Sequence, residues 1–173
     1  MTMTMSGLLY IMLGWSLSGP AWGWKLNLGT CRVTVHTHEL RHHFHAIRHS
    51  VVEQDMYLGA KFFESDIMKD VQDSERCCLL QHLLRFYVEK VFSSYASIHA
   101  EHKRTTSLMA NAFLSIKKDL LQCHCQCGEL TKQKMDAIQA SFEKLDRDIA
   151  TVKAFGELDF LLDWLDSLRS TQV

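Results

Sequence analysis

A single proline, Pro20, stands among 173 residues, so beyond it no imino ring forces a helix to break. Charge of either sign is missing from residues 1–24 and first appears at Lys25. A basic surplus is also lacking: the formal net charge is -1. That excludes the concentrated cationic face that nucleic acid requires of a main partner. No apolar run reaches the roughly 20 residues that span a bilayer, so membrane insertion is not expected. G-x-G-x-x-G, P-loop, G-x-S-x-G and H-E-x-x-H patterns are all missing, which removes the usual nucleotide, hydrolase and metalloprotease frames. No C-x-x-C occurs, so thioredoxin-like redox chemistry has no anchor. Neither Asn27 nor Asn111 is followed by the hydroxyl residue of a glycosylation sequon.

What is present begins with an address. "SGLLYIMLGWSLSGPAWG" joins a short apolar run to a Gly-Pro break and a small-x-small site at Ala21-Trp22-Gly23. Residues 1–23 therefore read as a secretory signal peptide and 24–173 as one extracellular domain. With 47% hydrophobic and 23% charged residues, that domain can bury a real core.

Secretion sets the meaning of the six cysteines, Cys31, Cys77, Cys78, Cys123, Cys125 and Cys127. Vicinal Cys77 and Cys78 do not easily join each other, and bridges inside Cys123–Cys127 would be strained. Six pairings remain, each linking one of Cys31, Cys77 and Cys78 to the carboxy-terminal cluster. A metal site built on C-H-C-Q-C is disfavoured, because structural zinc sites space their ligands C-x2-C or wider. No cofactor is expected. With all cysteines consumed in bridges, none is left as a nucleophile, and no enzyme is expected.

Helical periodicity dominates the rest. Leu40, Phe44, Ile47 and Val51 form one apolar stripe over residues 34–54. His38, His42, His45 and His49 fall within about 60° of each other on the opposite face. Imidazoles one turn apart can share a metal. A solvated face is the simpler reading, because no carboxylate stands close in register. Residues 53–71 read as a long connection with a short helical piece near Lys61–Asp66. Asp73 and Ser74 offer N-caps for a helix over Glu75–Tyr95. Further helices are expected over Thr105–Leu121, residues 129–145 and Ile149–Leu168. Phe160 and Trp164 lie off the apolar face of the last helix, where the segment with Trp24 and Leu26 would cover them. Asp146 and Asp148 fit a helix boundary as caps. The fold class is all-α: a bundle of four or more helices stapled by disulfides.

Three stretches carry a resemblance: "RCCLLQHLLRFYVEKVF" (Arg76–Phe92), "ANAFLSIKKDLLQCHC" (Ala110–Cys125) and "FEKLDRDIATVKAFGELDFLLDWL" (Phe142–Leu165). With a vicinal Cys pair, a C-x-C and a K-A-F-G-E-L-D run in that order, the chain resembles the interleukin-20 subfamily of the interleukin-10 (class II) cytokines. The likeness runs from about Cys31 to Leu168.

The resemblance implies a compact bundle of about six or seven helices with bridges Cys31–Cys123, Cys77–Cys125 and Cys78–Cys127. It implies a monomer that binds a heterodimer of class II cytokine receptors of the interleukin-20 receptor type, signalling through Janus kinases and STAT factors. One receptor site would use the connection after the first helix and the last helix, with Tyr57, Leu58, Lys61, Phe62 and Lys153 as candidates. The other would use Arg41, His45 and Arg48 on the first helix. The chain departs from the family in one place, since only His124 separates Cys123 from Cys125. A secreted helical lipid-binding protein of the saposin type is the alternative, although its shorter domains space cysteines in C-x-x-C pairs.

Overall fold

Apolar residues at three- and four-residue steps give each helix one stripe, and burying those stripes on one another sets the architecture. The computed structural model describes residues 23–29, 31–54, 61–63, 68 and 71–169. The proposed signal segment, apart from Gly23, and the candidates Tyr57 and Leu58 lie outside the described residues.

Helix α1 spans Thr37–Gln54, and α2 spans Arg76–Phe86. The same helical axis continues through a π-helical stretch, Tyr87–Phe92, into α3, Ser93–Ile98. Then follow α4 (Lys103–Leu120), α5 (Glu129–Lys144), α6 (Arg147–Gly156) and α7 (Leu158–Ser167). Helix α1 packs on α4, α6 and α7, while α2 packs on α4 and α5. Leu40, Phe44, Ile47 and Val51 are all buried, and His38, His42, His45 and His49 are all exposed.

Four boundaries differ from the sequence expectation. First, a two-stranded antiparallel ribbon, β1 (Trp24–Asn27) with β2 (Arg32–Val35), precedes α1. Gly29 turns it with φ +83, a conformation that a side chain rarely adopts, and a Cβ there would crowd the Asp73 carbonyl at 2.9 Å. Leu26, Leu28, Val33 and Val35 carry the ribbon into the core. Second, neither Asp73 nor Ser74 caps α2. A 3-10 turn, Asp73–Glu75, leads in, and the Asp73 carboxylate pairs with Arg76 at 2.7 Å. Third, of the helical piece expected near Lys61–Asp66 only residues 61–63 are described, and there Phe62–Phe63 form a bend.

Fourth, the last helix is two helices that part at Glu157, whose φ -86 and ψ 5 leave the helical region. Asp146 does cap α6, accepting from the Asp148 N–H at 3.0 Å. Trp164 is buried at 8% exposure and Leu26 at 0%, but Trp24 remains 45% exposed. Trp24 therefore does not seal the core; Arg169 stacks on its ring at 3.2 Å.

The core is aromatic at its centre. Phe155 meets Tyr95 at 4.3 Å, Phe92 at 5.5 Å and Phe44 at 5.9 Å between ring centroids. Phe92 in turn meets Phe113 at 5.0 Å. The π-helical stretch explains how α2 feeds this cluster. Phe86–Tyr87 and Val91–Phe92 are buried pairs five positions apart. In an α-helix five residues overshoot a turn by about 140°. Hydrogen bonds of the i to i+5 type widen the turn and bring both pairs inward. Burial pushes the Tyr87 phenol well above its ordinary pKa, with Glu157 adding to the shift. It stays protonated and donates to the Ala154 carbonyl at 2.7 Å.

Three disulfides join Cys31 to Cys123, Cys77 to Cys125 and Cys78 to Cys127, with Cα atoms 5.7, 5.2 and 5.3 Å apart. The crowded C-H-C-Q-C run fits because it is irregular and alternates. Its cysteines turn inward and His124 and Gln126 face solvent. Gly128, which opens α5, receives the Glu75 carboxylate on its N–H at 2.6 Å, where a Cβ would collide with that carboxylate. The bridges close separations of 92, 48 and 49 residues, worth on the order of 4 kcal/mol each in the chain-entropy picture.

Replacing Phe155 with alanine should destabilise the fold by about 3–5 kcal/mol in urea unfolding, because it empties the centre of the cluster. A second expectation concerns His82 beside the Cys78–Cys127 bridge. Burial, then Arg85, holds its imidazole below the ordinary 6.5. The unfolded chain therefore takes up a proton in mild acid that the folded chain resists, so stability falls as pH drops below about 6.5. In His82→Gln the loss of stability between about pH 7 and about pH 5 should be smaller than in the parent, read from urea midpoints.

Candidate interaction surface

Three carboxylates of α7, Asp159, Asp163 and Asp166, recur at helical spacing and face α1. The Arg41 guanidinium donates to Asp163 at 2.6 Å and to Asp166 at 2.8 and 3.1 Å. Thr37 adds a hydroxyl bond to Asp166 at 2.8 Å. One further turn along, Arg48 pairs with Asp159 at 3.0 Å. Burial lowers the pKa of Arg41, but the two carboxylates outweigh it and hold the group above its ordinary value. Arg41 is thus a fixed charge at every accessible pH. Beside it opens a cleft of about 560 Å³ lined by Trp24, Thr37, His38, Arg41, Asp166 and Arg169.

The second region lies where the connection after α1 meets the α6–α7 break. The Phe62 N–H donates to both oxygens of Glu157, at 3.0 and 3.1 Å. Lys61 is exposed and holds its ammonium 5.5 Å from the Phe160 ring. Two sequence candidates prove to be interior groups. Phe62 is 5% exposed and packs on Phe142 at 5.8 Å, and Lys153 is 2% exposed. The connection bends inward at Phe62–Phe63, and Thr151–Phe155 of α6 is buried on all sides, so charge at position 153 did not signal surface.

Arg41, His45 and Arg48 do share the outer part of α1, with His45 exposed and both arginines engaged by α7. The α7 partners were missed. Their signal is the i, i+4, i+7 spacing of Asp159, Asp163 and Asp166, which lines up with arginines on α1 only once the packing is known. An acid expected to be missing beside the histidine stripe is also present: His49 lies 2.9 Å from Glu53. Among the described residues, the trio Cys78, His82 and Cys127 brings three metal-ligand atoms within 4.8 Å of one another. Two of these sulfurs are already bonded to each other.

No family model matches the chain. It is 37% identical over 166 residues to mouse interleukin-20, covering 92% of this chain and 94% of that protein. The chain belongs to the interleukin-20 subfamily of the interleukin-10 cytokines. Mouse interleukin-24 is 32% identical, covering 90% of each chain. A solved, sequence-edited human interleukin 24 superposes with a TM-score of 0.72 at 31% identity, covering 84% of this chain and 99% of that one. Human interleukin-19 gives 0.71 at 25% identity, covering 78% and 90%. Interleukins of this subfamily are not enzymes, and they act through receptor partners. The lipid-binding alternative gives way to this relationship. Among the described residues no helix is long and apolar enough to cross a membrane.

Within this cytokine, Glu157 links the connection after α1 to the last two helices. Glu157→Gln keeps the size but loses one carboxylate oxygen and the charge. It should cost about 1–3 kcal/mol in unfolding free energy and speed amide exchange at Phe62. Unchanged protection of that amide would remove Glu157 as the anchor.

Proposed function

We propose that this chain is secreted after removal of residues 1–23 and acts as a monomeric ligand, residues 24–173, for a heterodimer of class II cytokine receptors. The receptor chains would be of the interleukin-20 receptor type and would signal through Janus kinases and STAT factors. The relationship to interleukin-20 across 92% of the chain supports this reading most strongly. The mechanism is geometric. A rigid ligand holds two receptor chains at a fixed separation so that their associated kinases meet, and rigidity spares the ordering cost of binding both. No cofactor takes part.

Two separate regions suit two receptor chains. The face of α1 offers His45 and Arg48, with Arg41 beside them as a guanidinium prepositioned by α7. The connection after α1 offers Lys61, with Tyr57 and Leu58 nearby in sequence. Phe62 and Lys153 serve this second surface from inside, as support and not as contacts.

Reporter cells carrying both receptor chains of a cognate pair should respond, and cells carrying either chain alone should not. Arg48→Glu and Lys61→Glu should each weaken binding to a different receptor ectodomain by at least about fivefold in surface plasmon resonance. A change below twofold for both would remove these residues from the contact surfaces.

A further inference from the structure

The Cys78–Cys127 bridge differs from the other two in its neighbour. Cys78 stands in the first turn of α2, and His82 follows one turn later on the same side of the helix. A ring nitrogen of His82 and the two sulfurs all lie within 4.8 Å of one another. Among the described residues, no imidazole or carboxylate comes that close to both sulfurs of either other bridge. One turn beyond Cys77 stands Gln81, whose amide donates to the Leu120 carbonyl. His124, inside the cysteine run, faces solvent.

The two sulfurs differ in access. Cys78 is buried and Cys127 is half-buried, so an incoming thiolate meets Cys127 and Cys78 is the leaving group. The positive end of α2 favours charge on that leaving sulfur. His82 is reachable too, because it lines open clefts on both sides of α2, about 430 Å³ against α5 and about 330 Å³ against α4. Arg85, Lys90 and Lys132 line the first and Lys117 the second, and these cations outnumber the acids there, Glu89 and Asp136. Burial, then Arg85, with Lys132 adding and Asp136 opposing, leaves the imidazole neutral near pH 7.

We propose that Cys78–Cys127 is a thiol–disulfide exchange site for a small thiol bearing carboxylates, with His82 as its proton carrier. Neutral His82 accepts the proton of the incoming thiol. The thiolate sulfur bonds to Cys127 Sγ as the Cys78–Cys127 bond breaks, and the bonding pair leaves with Cys78. The imidazolium then returns its proton to Cys78. The products are a mixed disulfide on Cys127 and a thiol on Cys78. The incoming sulfur is oxidised, Cys78 is reduced, and no further reactant is consumed. The other two bridges still tie the ribbon and α2 to the cysteine cluster. None of the residues proposed for receptor contact takes part, so the exchange stands apart from that reading.

The test incubates the folded protein with reduced glutathione near neutral pH, quenches by alkylation and maps the peptides by mass spectrometry. Glutathione should appear on Cys127, with Cys78 alkylated, at least about 10-fold faster than either other bridge opens. His82→Gln should slow that event by about 10-fold or more. Opening of Cys77–Cys125 in the same sample should stay within about twofold of the parent, which separates a lost proton carrier from a loosened fold. Lys132→Gln should slow glutathione at least about threefold more than it slows mercaptoethanol, a neutral thiol. The proposal is overturned if no cysteine takes up glutathione, or if another bridge opens first. The role of His82 fails if its variant slows neither bridge or changes both alike. Equal slowing of the two thiols by Lys132→Gln overturns the carboxylate-bearing class.

Discussion

Five consecutive residues, Cys123–Cys127, receive three covalent links from two distant parts of the chain, and this convergence sets the limits for everything else. Cys31 follows the β1–β2 turn, and Cys77 and Cys78 lie in the first turn of α2. The end of α4, the start of α2 and the ribbon are therefore held at one place. The strict alternation of the run makes this possible. An ordinary helix at 123–127 would have sent the three sulfurs around its circumference, whereas an irregular strand-like path aims them one way. Tethering removes much of the unfolded chain's freedom.

Non-covalent order then takes over. The aromatic cluster around Phe155 joins α1, the α2–α3 axis, α4 and α6, and Glu157 fastens the connection after α1 to the break between α6 and α7. The side chain that ends α6 is the one that anchors the connection. A buried carboxylate that accepts a backbone N–H is more costly to lose than a surface pair, because its partner would be left dry and unbonded. The α1–α7 ladder is different in kind. It is half-exposed and screened, so its value lies in orienting Arg41 and Arg48 more than in stability.

Much of this was legible in the residues. The stripes of α1, α2 and α5 follow from apolar spacing, and so does the solvent face of the histidines; in α4 the expected i+4 row fails at Leu108, which is exposed, while Met109 and Phe113 are buried. The resemblance carried by Arg76–Phe92, Ala110–Cys125 and Phe142–Leu165 named the subfamily. What escaped depended on contacts between distant segments. The ribbon turns on one positive-φ glycine, and four buried apolar residues at alternating positions are too short a signal to outweigh helical neighbours. The break at Glu157 is invisible to periodicity because Phe155, Leu158, Leu162 and Leu165 keep step across it. Lys153 and Phe62 were placed by residue type, and burial in α6 and the inward bend overrode that. Glu53 was overlooked because it stands at the edge of the connection, one turn beyond the last histidine.

The wide turn at Tyr87–Phe92 accommodates one more residue than the helix on either side would use for the same rise. That surplus gives the α2–α3 axis a tolerance that its α-helical neighbours lack. Loss of one residue there would tighten the coil to ordinary pitch while the flanking turns kept their hydrogen bonds. Facing would be kept, since Phe86–Tyr87 and Val91–Phe92 would then stand four positions apart on one face of an ordinary helix and Tyr95 would stay against Phe155. A change of one residue in length can therefore enter the backbone at this point and leave the aromatic centre in place.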